Sequence, residues 1–113
     1  MIQVGQKKKA RYWGNFRVKK VATLAKPQIV HSEEVGEAKF NPTLVQIEWE
    51  SNLANEFWFP YWITIKGKER YGQFAPMMDE ASLLELLEGA IKQEFFSQTF
   101  LQRLNKVIAD RLG

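Results

Sequence analysis

The residue types best suited to chemistry lie in one segment near the start of the chain, where cationic and aromatic side chains alternate. This segment spans residues 7–20 and reads KKKARYWGNFRVKK. Lysine and arginine attract phosphate groups because binding releases counterions, and aromatic rings can stack on bases. We therefore predict a nucleic-acid-binding segment made of Lys7, Lys8, Lys9, Arg11, Tyr12, Trp13, Arg17, Lys19 and Lys20. The alternative is a solvated basic arm whose rings pack on the domain itself.

A second aromatic set lies on a predicted β-hairpin in the middle of the chain. The glycine-first pair at 67–68 fits a two-residue hairpin turn, which would place Trp62 opposite Gln73. In that register Trp58, Trp62 and Tyr71 share one strand face with polar residues. Exposed aromatic residues of this kind anchor protein interfaces, and closed dimers are the commonest way to cover them. The three residues are thus a predicted partner interface, used by a homodimer or another protein, unless the N-terminal half covers them.

The acid–base residues form no recognisable catalytic set. Glu48 and Glu50 stand about 7 Å apart on a predicted strand, a spacing also found between paired glycosidase carboxylates. Any outward acidic pair on a strand gives the same spacing, however, and His31 is the single histidine. Cysteine is absent, and the glycines do not form a phosphate-binding loop. We expect no catalytic residue, no metal and no cofactor, and therefore a binding module in preference to an enzyme.

Charge is distributed unevenly along the 113 residues. Residues 1–32 contain eight lysine and arginine residues and no acidic residue, whereas residues 33–113 contain eight basic and thirteen acidic residues. A basic N-terminal segment followed by a net acidic remainder indicates which partners the protein can attract, but it does not indicate the fold. The longest apolar run, residues 57–63, is too short to span a bilayer, so we expect no membrane partner and a cytoplasmic protein.

The helices and strands that must position these residues can be predicted from the periodicity of apolar residues and from the proline and glycine residues that interrupt it. Residues 1–11 resemble a flexible basic arm, and residues 12–75 are β-rich. Alternation of apolar and polar residues over 43–50 predicts a strand. Residues 57–66 are predicted to form a long apolar strand that is interrupted at Pro60. Residues 16–25 fit either a strand or a helix, and the strand is favoured. The length is that of a single domain.

Two helices are predicted between residues 79 and 112. Asp79 and Ser97 are suitable N-caps, and leucine-rich stripes at helical spacing follow each of them. A short link between two amphipathic helices favours antiparallel packing. The predicted fold is therefore α+β, with an antiparallel sheet of three to five strands and a C-terminal two-helix hairpin packed on one face.

Overall fold

The fold is organised around one long central strand. A computed structural model describes residues 1–72 and 76–113 and shows, within them, seven antiparallel strands followed by two helices. The elements are β1 (Lys7–Ala10), β2 (Gly14–Thr23), β3 (Gln28–Ser32), β4 (Gly36–Trp49), β5 (Asn55–Trp58), β6 (Tyr61–Ile65), β7 (Lys68–Tyr71), α1 (Glu80–Lys92) and α2 (Gln98–Leu112). The α+β class is confirmed, but the expectation of three to five strands is wrong.

The larger strand number arises because β4 pairs with four other strands. Its first half lies between β3 and β6, and its second half lies between β2 and β5. The long strand predicted over 57–66 is in fact two strands, β5 and β6, separated at Phe59 and Pro60. Proline has no amide hydrogen to donate to a ladder, but the Pro60 carbonyl still accepts a 2.9 Å hydrogen bond from the Thr43 amide.

The turn between β6 and β7 consists of Lys66 and Gly67, not of the predicted pair 67–68. Both residues have positive φ, 50° and 78°, as a type I′ turn requires. Trp62 consequently pairs with Tyr71, and its predicted partner Gln73 lies outside the described residues. The register differs from the predicted one by two positions. A shift of two leaves every side chain on its predicted face, because successive residues alternate between faces.

The first eleven residues, predicted to form a flexible arm, contain strand β1 and pack against the sheet. Ile2 is only 6% exposed and belongs to a cluster of buried side chains with Phe16 and Trp62. The Gly5 amide donates a 2.8 Å hydrogen bond to the Val18 carbonyl. Of residues 16–25, for which a strand was favoured over a helix, residues 16–23 form part of β2.

Helix α1 covers one face of the sheet, against β2 and β4. It begins where the sequence predicts, because the Asp79 side chain accepts a 2.7 Å hydrogen bond from the Ser82 amide. Leu86 and Ala90 are fully buried against Ala22 and Leu44. Burial of a leucine side chain contributes about 1.5–3 kcal/mol, so this contact fixes the helix on the sheet.

Helix α2 does not pack as predicted. Ser97 caps it by accepting a 3.1 Å hydrogen bond from the Phe100 amide, but none of its residues is buried, and its backbone approaches no other helix or strand of the described chain. The predicted two-helix hairpin on one sheet face is therefore wrong, and α1 alone packs there. The reason lies in the linker, where Glu94 has a φ of 60° and the buried Phe95 is anchored beneath the sheet.

Candidate nucleic-acid interface

Five aromatic rings from five different strands form a continuous series on the sheet face opposite α1. The order is Trp49, Phe16, Trp58, Tyr71 and Trp62, and adjacent ring centroids are 5.6, 5.7, 6.2 and 5.8 Å apart. Three of the four contacts are edge-to-face, the arrangement that the ring quadrupole favours, and the fourth is tilted. We call these five residues the ring series.

Strand register explains why the rings meet. Residues directly opposite each other in an antiparallel pair place their side chains on the same face. Phe16 pairs with Trp49, Val45 with Trp58, and Trp62 with Tyr71. Ala22 and Leu44 alternate with these positions and point to the other face, where they contact α1. One face is therefore apolar for helix packing, and the other is aromatic.

The sheet curls around the ring series and forms a groove. The two ends of the strand order, β1 and β7, both contribute to it, and the amino group of Met1 lies 2.6 Å from the Glu69 carboxylate of β7. The groove encloses about 480 Å³. Its lining consists of Lys8, Lys9, Ala10, Phe16, Ile47, Trp49, Glu56, Phe57, Trp58 and Tyr71. The concave face thus combines rings with cations from β1.

The β1–β2 hairpin extends the aromatic surface beyond the groove. Its turn carries Arg11, Tyr12 and Trp13, and the two rings are 78% and 77% exposed. The Arg11 guanidinium stands 5.3 Å from the Tyr12 ring centroid, within cation–π range. Trp13 lines an adjoining depression of about 420 Å³ together with Trp49 and Glu56, which also line the groove. The hairpin tip is therefore continuous with the ring series.

The cations around the groove are few and close to the rings. Lys8 pairs with Phe16 in register and faces the groove. Lys9 also lines the groove at its edge, although it pairs with Asn15 and its side chain leaves β1 on the same face as that of Lys7. Glu56 is the opposing charge among the lining residues. A ligand with regularly spaced anionic groups could follow the β1 side while planar groups enter between the rings.

Four other predicted nucleic-acid-binding residues are placed elsewhere. Lys7 pairs with Arg17 on the face away from the ring series, and both are exposed. The Lys19 amine lies 3.4 Å from the Glu48 carboxylate. The Lys20 amine donates to the carbonyls of residues 93 and 94, at 2.8 and 3.1 Å, just beyond the end of α1. Lysine near a helix C-terminus stabilises the helix dipole, which gives Lys20 a structural role.

The three residues of the predicted partner interface share a face but differ in exposure. Trp62 is 8% exposed and lies in the buried cluster, Trp58 is half-buried, and Tyr71 is 52% exposed. Desolvation within the groove raises the pKa of the Tyr71 hydroxyl above 10.0. Trp58 and Tyr71 line the groove, whereas Trp62 does not line it and instead supports the Tyr71 ring from the buried cluster.

The acid–base residues remain apart in the structure. His31 is exposed on β3 opposite Glu37, Glu48 is engaged by Lys19, and Glu50 lies beyond the end of β4. Within residues 1–72 and 76–113 there is no group of three or more side chains that could hold a metal ion. In the same residues no helix is both long enough and apolar enough to cross a membrane.

Six of the ten groove residues were not predicted as site residues: Ala10, Phe16, Ile47, Trp49, Glu56 and Phe57. Trp49 was assigned to the alternating strand over 43–50, and the alternation did show that its side chain points with Val45 and Ile47. What the pattern could not show is which strand lies beside β4, since that depends on long-range pairing.

Comparison with protein-family models, curated proteins and solved structures gives no match for this chain.

Proposed function

We propose that this domain binds single-stranded nucleic acid in the groove over the ring series. The observation that carries the proposal is the meeting of the two aromatic sets on one concave face, with Lys8 and Lys9 at its β1 side. Proteins that bind single strands combine a positively charged track for the backbone with aromatic side chains on which bases stack. The expectation of a non-enzymatic binding module is retained, as is the predicted cytoplasmic location.

Exposure supports a role for specific rings in stacking. Tyr12, Trp13 and Tyr71 keep half or more of their surface accessible, whereas the Phe16 and Trp62 rings are buried and hold the others in place. A base stacked on an accessible ring gains about 1–3 kcal/mol. The proposed division is therefore between accessible rings that contact bases and buried rings that shape the groove.

The second candidate is a protein interface or a homodimer across the same aromatic face. Trp58 and Tyr71 retain exposed area that such an interface could use. Trp62, which was expected to anchor it, is only 8% exposed. A narrow curled face admits a slender ligand more readily than the flat surface of another domain, so the nucleic-acid proposal is preferred.

The proposal is tested by fluorescence anisotropy with a labelled 12-nucleotide oligothymidylate at low salt. A matched abasic oligonucleotide of equal length carries the same phosphates without bases. We expect saturable binding of the oligothymidylate and weaker binding of the abasic strand, by at least fivefold if one base stacks. No anisotropy change, or equal affinity for both strands, would overturn the proposal, because binding would then not use the rings.

A further inference from the structure

Helix α2 presents an apolar stripe that the described chain covers only at its start, where the Phe100 ring stacks on the Phe96 ring with 4.7 Å between centroids. At 3.6 residues per turn, six apolar side chains fall on one side of the helix: Phe100, Leu101, Leu104, Val107, Ile108 and Leu112. Val107 is 66% exposed and Leu112 is 83% exposed. Amphipathic helices are stabilised mainly by packing of their apolar face, so a helix of this composition requires a partner surface.

Helix α1 has a second uncovered stripe beside the side that packs on the sheet. Leu83, Leu84 and Ile91 are 40%, 57% and 40% exposed, and Leu87, which is half-buried against the core under α1, lies between them. The two stripes match in an antiparallel register. When Leu87 stands opposite Leu104, Ile91 stands opposite Phe100, and Leu83 opposite Ile108.

The charges of the two helices are complementary. Helix α1 contains three glutamates and one lysine, whereas α2 contains three cations and one aspartate. In the same antiparallel register Glu80, in the first turn of α1, comes next to Arg111, in the last turn of α2. The antiparallel arrangement also places opposite ends of the helix dipoles together.

The linker keeps the two stripes of one chain apart. The Lys20 amine donates hydrogen bonds to the carbonyls of residues 93 and 94. The Gln93 side chain donates a 3.1 Å hydrogen bond to the Val21 carbonyl. Phe95 is 3% exposed within the cluster beneath the sheet. These contacts tie the linker to β2, and with the linker held in this way the backbone of α2 does not come close to α1 of the same chain.

We infer that α2 of one copy packs in antiparallel fashion on the outer stripe of α1 of a second copy, so that two chains exchange their C-terminal helices. Exchange of an identical element is a common route to twofold dimers, and it would cover both stripes in both chains. The dimer would leave both grooves open, since α1 lies on the opposite face of the sheet. This inference is independent of what the groove binds.

The test is the mass in solution by size-exclusion chromatography with light scattering at about 100 µM. We expect the wild type at twice the 13.2 kDa chain mass. Leu84→Glu and Val107→Glu alter exposed side chains that the single chain does not need, and each should reduce the mass to one chain. Ala109→Glu, on the opposite side of α2, is the matched control and should remain dimeric.

Mixing the two monomeric variants gives a sharper result. A mixed pair retains one unaltered contact, between α2 of the Leu84→Glu chain and α1 of the Val107→Glu chain, so the mixture should recover part of the dimer. A monomeric wild type would overturn the inference. A Leu84→Glu variant that stays dimeric would also overturn it, because the contact would then not involve α1.

Discussion

The ring of Phe16 meets the ring of Trp58 edge-on, with 5.7 Å between their centroids. Phe16 lies on β2, in the β1–β2 hairpin that contains the basic segment, and Trp58 lies on β5. This one contact joins two surfaces that the sequence treats as separate candidates. It makes the cations of β1 and the rings of β5 to β7 parts of one groove, on which the proposed function depends.

Trp13→Ala should weaken binding without loss of stability. The indole is 77% exposed, so its removal takes little from the core, while a stacked base would lose about 1–3 kcal/mol, or about 5- to 150-fold in Kd. Anisotropy titration and thermal unfolding measure the two effects. Met77→Ala is the control, since Met77 is 85% exposed and does not line the groove. Unchanged affinity in Trp13→Ala would exclude the hairpin tip from the binding surface.

Lys8→Met and Lys20→Met should have opposite effects, although both lysines belong to the same basic segment. Lys8 faces the groove, so its loss should weaken nucleic-acid binding and leave the unfolding midpoint unchanged. Lys20 holds two carbonyls at the end of α1, so its loss should cost about 1 kcal/mol of stability and leave affinity unchanged. Equal losses of affinity in the two variants would contradict the assignment of the faces.

Thr43→Val should stabilise the domain. The Thr43 hydroxyl is buried and finds no hydrogen-bond partner among the described residues. An unsatisfied buried polar group costs about 1–3 kcal/mol, and valine replaces it with a methyl group of similar size, so we expect a gain of about 1 kcal/mol. Urea unfolding gives the value, with Thr23→Val as the control, since Thr23 pairs with Thr43 in register but is exposed. A destabilised Thr43→Val would show that the hydroxyl has a partner.

The cap of α1 should make stability depend on pH in the acid range. Hydrogen bonds from the Ser82 side chain and backbone lower the pKa of Asp79 below 3.8. Because the pKa in the folded state is depressed, the contribution of the cap is present above 3.8 and lost as the pH falls through the lower value. The difference in Tm between the wild type and Asp79→Ala should shrink over that range. Asp79→Asn, which keeps the acceptor oxygen but does not titrate, should show a constant difference from Asp79→Ala.

Local patterns predicted which face of the sheet a side chain occupies better than they predicted which strands pair with each other. The alternation of side chains placed Trp58, Trp62 and Tyr71 together even though the hairpin turn was assigned one residue too late, because the resulting error in register is an even number. The same rule could not reveal that Phe16 and Trp49 join them. That contact depends on β2 lying beside β4, which is a long-range pairing with no local signal.

The C-terminal helices show the same limit. Their caps at Asp79 and Ser97 were predicted, since capping depends on a few adjacent residues. The leucine stripes show that each helix needs an apolar partner but not which partner. In α1 the buried centre is Leu86, which helical spacing alone does not distinguish from the neighbouring leucines. In α2 most of the stripe is left uncovered by the described residues, because the anchored linker separates it from α1.

The most direct measurement of the central claim is the salt dependence of binding for a variant of the groove and the adjoining hairpin tip, with Lys8→Gln, Lys9→Gln and Arg11→Gln, called here the groove variant. Each phosphate contact on a single strand contributes about 0.7 to the slope of log K against log salt, so the loss of three should reduce the slope by about 2. The control carries Lys39→Gln, Lys66→Gln and Lys68→Gln, the same charge change away from the groove, and should keep the wild-type slope. A wild-type slope in the groove variant, or an equal reduction in both variants, would contradict the account.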